Sequence, residues 1–155
     1  MRVTFAVAVA VLIASSAVLP GAMAKHKKHM MAMPAATTSL YDRLGGKTAL
    51  TAVVDDFVGN VAADKRINAF FAKADIPHLK MELVDQLCSA TGGPCQYTGK
   101  DMKTAHAGMG IGGKDFDALV GDLGMSLDKF KVKKADQKEL VAILAPLKKD
   151  ITEKP

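Results

Sequence analysis

The 155-residue chain has no tryptophan, only two tyrosines and only two cysteines. With Tyr41 and Tyr97 as the sole tyrosines, it lacks the aromatic platform on which nucleic-acid bases stack. Its formal charge of +5 comes from lysines interleaved with acidic residues rather than gathered into a stripe. Nucleic acid is therefore not an expected partner, and the basic excess serves solubility. No HExxH or paired CxxC pattern supplies a zinc site, and no C-x-x-C-H attaches a haem covalently. No segment alternates apolar and polar residues long enough to specify a strand, and there is no internal repeat.

The one long apolar run is N-terminal: AVAVAVLIASSAVL, residues 6 to 19, preceded by Arg2 and followed by Pro20-Gly21 and Ala22-Met23-Ala24. About 14 apolar residues fall short of the roughly 20 that span a bilayer, and Ala22-Met23-Ala24 fits an A-x-A cleavage site. Residues 1–24 are expected to be an export signal, leaving a periplasmic protein with no stable membrane insertion after cleavage. Residues 25–38, KHKKHMMAMPAATT, lack apolar periodicity and are expected to form a flexible leader. His26, His29, Met30, Met31 and Met33 in this leader are chemically suited to Cu(I), but their spacing defines no closed site. Cys88 and Cys95 bracket CSATGGPC. In an exported protein they either pair or leave a buried Cys88 and a free Cys95, because bridging needs Cα atoms within about 7 Å.

From Ser39 onward the pattern is helical, so residues 39–155 are expected to form one all-α domain. Ser39 with Asp42 caps a short helix, SLYDRL, which Gly45-Gly46 ends. A second helix from near Thr48 carries Leu50, Val53, Val54, Phe57, Val58 and Val61 on one face. After the connector DKRINAFFAKAD, Asp75 and Pro77 open a third helix through Cys88, with Leu79, Leu83, Leu87 and Val84 on its buried line. Asp101 caps a short helix containing His106, and glycines from Gly108 dissolve it. Two amphipathic helices complete the chain, one marked by Phe116, Leu119, Val120, Leu123, Leu127 and Phe130, the other by Leu140, Ile143, Leu144 and Leu147.

His106 shares its helix face with Met102 and Met109, so it looks inward. Taken alone, a histidine on such a face is more often a hydrogen-bonded core residue than a ligand. A Cys88–His106 nucleophilic pair lacks a third, orienting residue. Haem is the metal group that needs only one protein ligand of this kind, since the porphyrin supplies four nitrogens.

LYDRLGG, VVDDF, INAFF, LCSATGGPCQYTG and MKTAHAGMGI occur in that order from Ser39 to about Ile151, and in this the chain resembles a group I truncated haemoglobin. The resemblance implies a truncated globin-like two-on-two helical sandwich around haem b, with His106 as the iron ligand and Phe71 packed on the haem. It also places Phe57, Val58, Leu79, Leu83, Met102, Tyr97 and Lys103 at the cofactor. Lys80, Lys100 and Lys103 are candidates to meet the propionates. The implied role is reversible binding of O2, NO or CO by a monomer or weak oligomer. Dioxygenation of NO would require an electron donor whose identity the sequence does not give.

The chain departs from the family pattern on the distal side. Many group I members have a tyrosine where Val58 stands and glutamines where Leu79 and Leu83 stand, so an apolar distal pocket is expected. His78, Glu82 and Gln86 are expected on a solvated flank, with the alternatives that Gln86 turns into the pocket or that His78 swings in to ligate the iron from the distal side. A peroxidase-like role lacks a distal acid–base group. The rival of a different class is a cofactor-free helical protein whose leader handles copper.

Overall fold

The computed structural model describes residues 38–154. The expected export segment 1–24 and all but the last residue of the expected leader 25–38 lie outside the described residues.

Among the described residues seven helices occur in order: α1 (Leu40–Arg43), α2 (Gly46–Ala63), α3 (Ile76–Ala90), α4 (Met102–His106), α5 (Gly113–Lys129), α6 (Lys134–Leu144) and α7 (Lys148–Ile151). Two 3-10 turns, Asn68–Phe71 and Ala145–Leu147, join α2 to α3 and α6 to α7. Among the described residues there is no strand, and no helix is long and apolar enough to cross a membrane.

The caps are those the sequence specifies. Ser39 Oγ accepts the Asp42 N–H at 3.1 Å, Asp75 accepts that of His78 at 3.2 Å, and Asp101 accepts that of Thr104 at 2.9 Å. Each satisfies one of the donors a helix start leaves free. The one-sided face of α2 is buried at all six expected positions, from Leu50 to Val61. Each such side chain contributes about 1.5–3 kcal/mol relative to exposure, which makes α2 the spine of the core. Helices α3 and α5 pack against it, while α1 leans on α6 and α4 on α7.

Three expectations are corrected. Phe130 lies just past the end of α5 as its C-cap and is 42% exposed, because the helical register that would have turned it inward has ended. The last helix is not continuous: Pro146 cannot donate to the α-helical ladder, and a 3-10 turn separates α6 from α7. On α3 the fully buried residues are Val84, Leu87 and Cys88, whereas Leu79 and Leu83 are only half-buried.

Cys88 and Cys95 form a disulfide with Cα atoms 5.7 Å apart, which decides between the two alternatives. Beside it, the two glycine pairs meet on one side chain. Gly46, with φ +72°, lies under the Tyr41 hydroxyl, and a Cβ on Gly93 would come within 2.6 Å of both the Tyr41 ring and Cys88 Sγ. Tyr41 also accepts the Lys47 N–H at 2.9 Å and donates its own N–H to Thr91 O at 2.9 Å.

Candidate functional site

Between α3 and α4 the structure leaves a cleft of about 900 Å³. Its size lies within the roughly 300–1,000 Å³ range of small-molecule and cofactor pockets. Leu79, Leu83 and Gln86 line it from α3, and Met102, Ala105 and His106 from α4. Phe57, Phe70 and Phe71 enter from the α2 side, and Phe116, Leu123, Leu147 and Ile151 from the last three helices and their junction.

His106 is half-buried at the end of α4. Its Nδ1 lies 2.7 Å from Met102 O, one helical turn back. A carbonyl oxygen only accepts, so Nδ1 carries the proton and Nε2 keeps a free lone pair. This is the tautomer in which imidazole ligates a metal through Nε2. The Asp101 cap holds the first turn of α4, and its bonds to Thr104 keep the Asp101 carboxyl below the usual carboxylate range.

Seven of the nine site residues expected from the sequence line this cleft: His106, Phe71, Phe57, Leu79, Leu83, Met102 and Tyr97. Val58 and Lys103 do not. Val58 is buried in the hydrophobic core beside Phe57, its side chain turned off the cleft wall by one helical step, and Lys103 is on the exposed side of α4. Of the lysines considered for the propionates, Lys100 is at the cleft, whereas Lys80 is paired with Asp55 at 2.9 Å on the other flank of α3. Lys73 also reaches the cleft, a position to which no sequence signal pointed.

The polar residues of α3 fall between the two alternatives the sequence leaves open. His78, Glu82 and Gln86 line the cleft rather than a purely solvated flank. Gln86 is half-buried, and its amide Nε2 donates to Met102 Sδ at 3.3 Å, linking the α3 wall to the α4 wall. His78 and Glu82 are at the rim, 3.7 Å apart, with His78 largely exposed. Tyr97 closes the same rim: its hydroxyl donates to Lys100 O at 2.7 Å, and burial, followed by the charges of Glu82 and Asp101, pushes its phenol upward. The Phe116 and Leu147 contributions were hidden in the sequence because the last helices' apolar faces serve core and cleft together.

An apolar cleft between helices, with one half-buried histidine whose Nε2 is left free, suits the class of helical proteins that enclose a flat apolar cofactor. Comparison with known proteins agrees. The family model described as bacterial-like globin matches residues 39–153. The group 1 truncated haemoglobin of Mycolicibacterium paratuberculosis is 37% identical over 113 residues, which are 73% of this chain and 83% of that protein. The group 1 truncated haemoglobin of Tetrahymena pyriformis is 34% identical over 73% of this chain and 93% of its own length. The crystal structure of that truncated haemoglobin in its Fe(III) form superposes with a TM-score of 0.72 at 34% identity, covering 74% of this chain and 97% of its own. The 2/2 haemoglobin of Synechococcus, solved in the cyanomet state with covalently attached haem, gives 0.69 at 32% identity over 73% of this chain and 97% of its own.

The chain belongs to the bacterial-like globin family, and within it to the group 1 truncated haemoglobins. The cofactor of a globin is haem with its iron, and the residues present fit that group. The walls are apolar, an imidazole nitrogen is left free at the cleft, and among the described residues no cluster of three His, Cys, Asp or Glu side chains offers another way to hold a metal ion.

Proposed function

We propose that this globin reversibly binds O2, or another diatomic gas such as NO or CO, at haem b iron held by His106. Haem, when bound, would supply an iron able to take up a small gas, with His106 as the residue that would hold it. The observation that carries this is the bond from His106 Nδ1 to Met102 O, which commits one ring nitrogen and leaves the other for the metal inside an apolar cleft.

The remaining residues set the environment. Phe57, Phe71, Leu79 and Leu83 keep water from the buried side, and Lys73 and Lys100 at the mouth suit the carboxylates of the cofactor's edge. Leu79 and Leu83 give a gas nothing to hydrogen-bond. Turnover of NO by this protein would need an external electron donor.

We further place the mature chain outside the cytoplasm, as a monomer or weak oligomer. The support is the N-terminal apolar run with its A-x-A end, together with the Cys88–Cys95 disulfide, since such bridges persist mainly in oxidising compartments. A mass spectrum of the secreted protein beginning at Lys25 is the expected result.

The test is an absorption spectrum of the purified protein, oxidised, reduced and reduced with CO. The native chain should show a Soret band that shifts with CO, and His106→Ala should weaken or lose it, with partial rescue by free imidazole. A colourless protein, unaffected by His106→Ala but altered by deletion of residues 25–33, would instead favour copper handling by the leader.

A further inference from the structure

The helix that carries His106 is only five residues long, and the bonds that define it, the Asp101 cap and the His106–Met102 contact, are internal and move with it. Behind it the chain enters a glycine-rich run, Gly108 to Gly113, in which Ile111 is the one buried side chain. Gln86 ties the start of the helix to α3 through Met102, and the fastening behind the histidine comes from the other end of the chain. Glu153 accepts the Gly108 N–H on one carboxylate oxygen at 2.5 Å and the Gly110 N–H on the other at 2.6 Å. Gly108 and Gly110 both have positive φ, +78° and +68°, which turns their N–H groups toward the same anion.

The backbone secures the carboxylate in turn. Glu153 N–H donates to Ile111 O at 2.8 Å, Gly113 N–H donates to Lys154 O at 3.3 Å, and Gly112 and Lys154 form a parallel bridge. Two residues earlier, Ile151 is buried on the cleft wall, so the tail is itself anchored to the site.

We propose that Glu153 is a positioning residue for His106: its carboxylate, gripped by the two N–H groups just beyond the histidine, fixes where the free imidazole nitrogen stands over the cleft. This rests on His106 being the haem ligand. Bonds from N–H groups to an ionised carboxylate are stronger than neutral ones, and although Glu153 is exposed to solvent its single carboxylate holds two N–H groups of the loop at once. Released from it, the loop is free to let the imidazole tilt.

The experiment compares full-length, haem-loaded native protein with Glu153→Ala, Glu153→Gln and Arg43→Met. The last cuts the link from Arg43 to Asp136 and Glu139, where α1 meets α6, and controls for loss of stability alone. Two readouts are taken: the iron–histidine stretching band of the reduced protein by resonance Raman, and the rate at which haem is lost to apomyoglobin. Glu153→Ala should shift or broaden the band and speed haem loss about tenfold, with Glu153→Gln, which keeps one oxygen acceptor, in between. Arg43→Met should lower Tm and leave the band where it was. A Glu153→Ala protein with native band and haem-loss rate overturns the inference, as does an equal band shift in Arg43→Met. If the native protein takes up no haem, or shows no iron–histidine band, the assignment of His106 fails and this inference with it. A native band that Glu153 substitutions leave untouched removes the inference alone.

Discussion

Replacing Leu83 by glutamine, singly and together with Leu79→Gln, should slow the departure of oxygen from this globin. The two leucines are four residues apart on α3 and both line the cleft. At 1.5 Å rise per residue they stand about 6 Å apart on one helix face, close enough for two amides to reach a single small ligand between them. A hydrogen bond to a polarised gas has charge-assisted character and contributes roughly 1.5–3 kcal/mol. At about 1.4 kcal/mol per factor of ten, one such bond slows dissociation about tenfold to a hundredfold. The assay is stopped-flow displacement of O2 by CO, with CO dissociation as the internal control, because CO is little polarised and should change far less. The substitution site matters: Val58→Tyr, the more obvious change by family pattern, would force a ring into a core position only 7% exposed and cost about 1–3 kcal/mol of stability before it helped the ligand. An oxygen dissociation rate unchanged in the double variant, with its Soret band intact, would refute the placement of Leu79 and Leu83 over the ligand.

Two further predictions concern stability. Asp122 is 1% exposed with one carboxylate oxygen unpartnered, and burial, reinforced by the neighbouring Asp64 charge, pushes its carboxyl above the usual range. The folded chain then holds a proton that the unfolded chain has released, so stability falls as pH rises from the usual carboxylate value through the raised one. Asp122→Asn should raise stability by about 1 kcal/mol at pH 7 and give no gain near pH 4; denaturant melts at both pH values check this, and a gain at pH 4 equal to that at pH 7 would contradict the buried-charge account. Reduction of Cys88–Cys95, or Cys95→Ser, opens a bridge spanning a sequence separation of 7 and should lower stability by about 2–3 kcal/mol, measured by urea unfolding with and without reductant.

Most of the fold was legible because the signals were local. A strict 3.6-residue apolar face wrote α2, Ser39, Asp75 and Asp101 wrote the helix starts, and paired glycines wrote the breaks. The inward set of His106 with Met102 was legible for the same reason. Legibility failed where a side chain's direction depends on partners distant in sequence. The family resemblance places Val58 at the cofactor, whereas here its neighbour Phe57 takes the cleft wall and Val58 stays in the core, on the face its periodicity indicates. Phe130 has the right spacing for the α5 face but falls where the helix has ended. Gln86 is legible as polar and not as bonded to Met102, sixteen residues on. Glu153 is forty-five residues from Gly108, and no periodicity connects an acidic residue near the C-terminus with a glycine turn behind a histidine. The disulfide needed a distance that spacing does not supply.

The meeting of both glycine pairs on the Tyr41 ring changes how those pairs are to be understood. They look like two independent hinges, forty-odd residues apart, each making its own turn. One glycine of each pair faces that ring for a different reason: a Cβ on Gly93 would meet it at 2.6 Å, whereas Gly46 already has the ring at ordinary contact distance and is held to glycine by its φ of +72°, so displacing the ring from Gly93 leaves the cost at Gly46 in place and the two costs add.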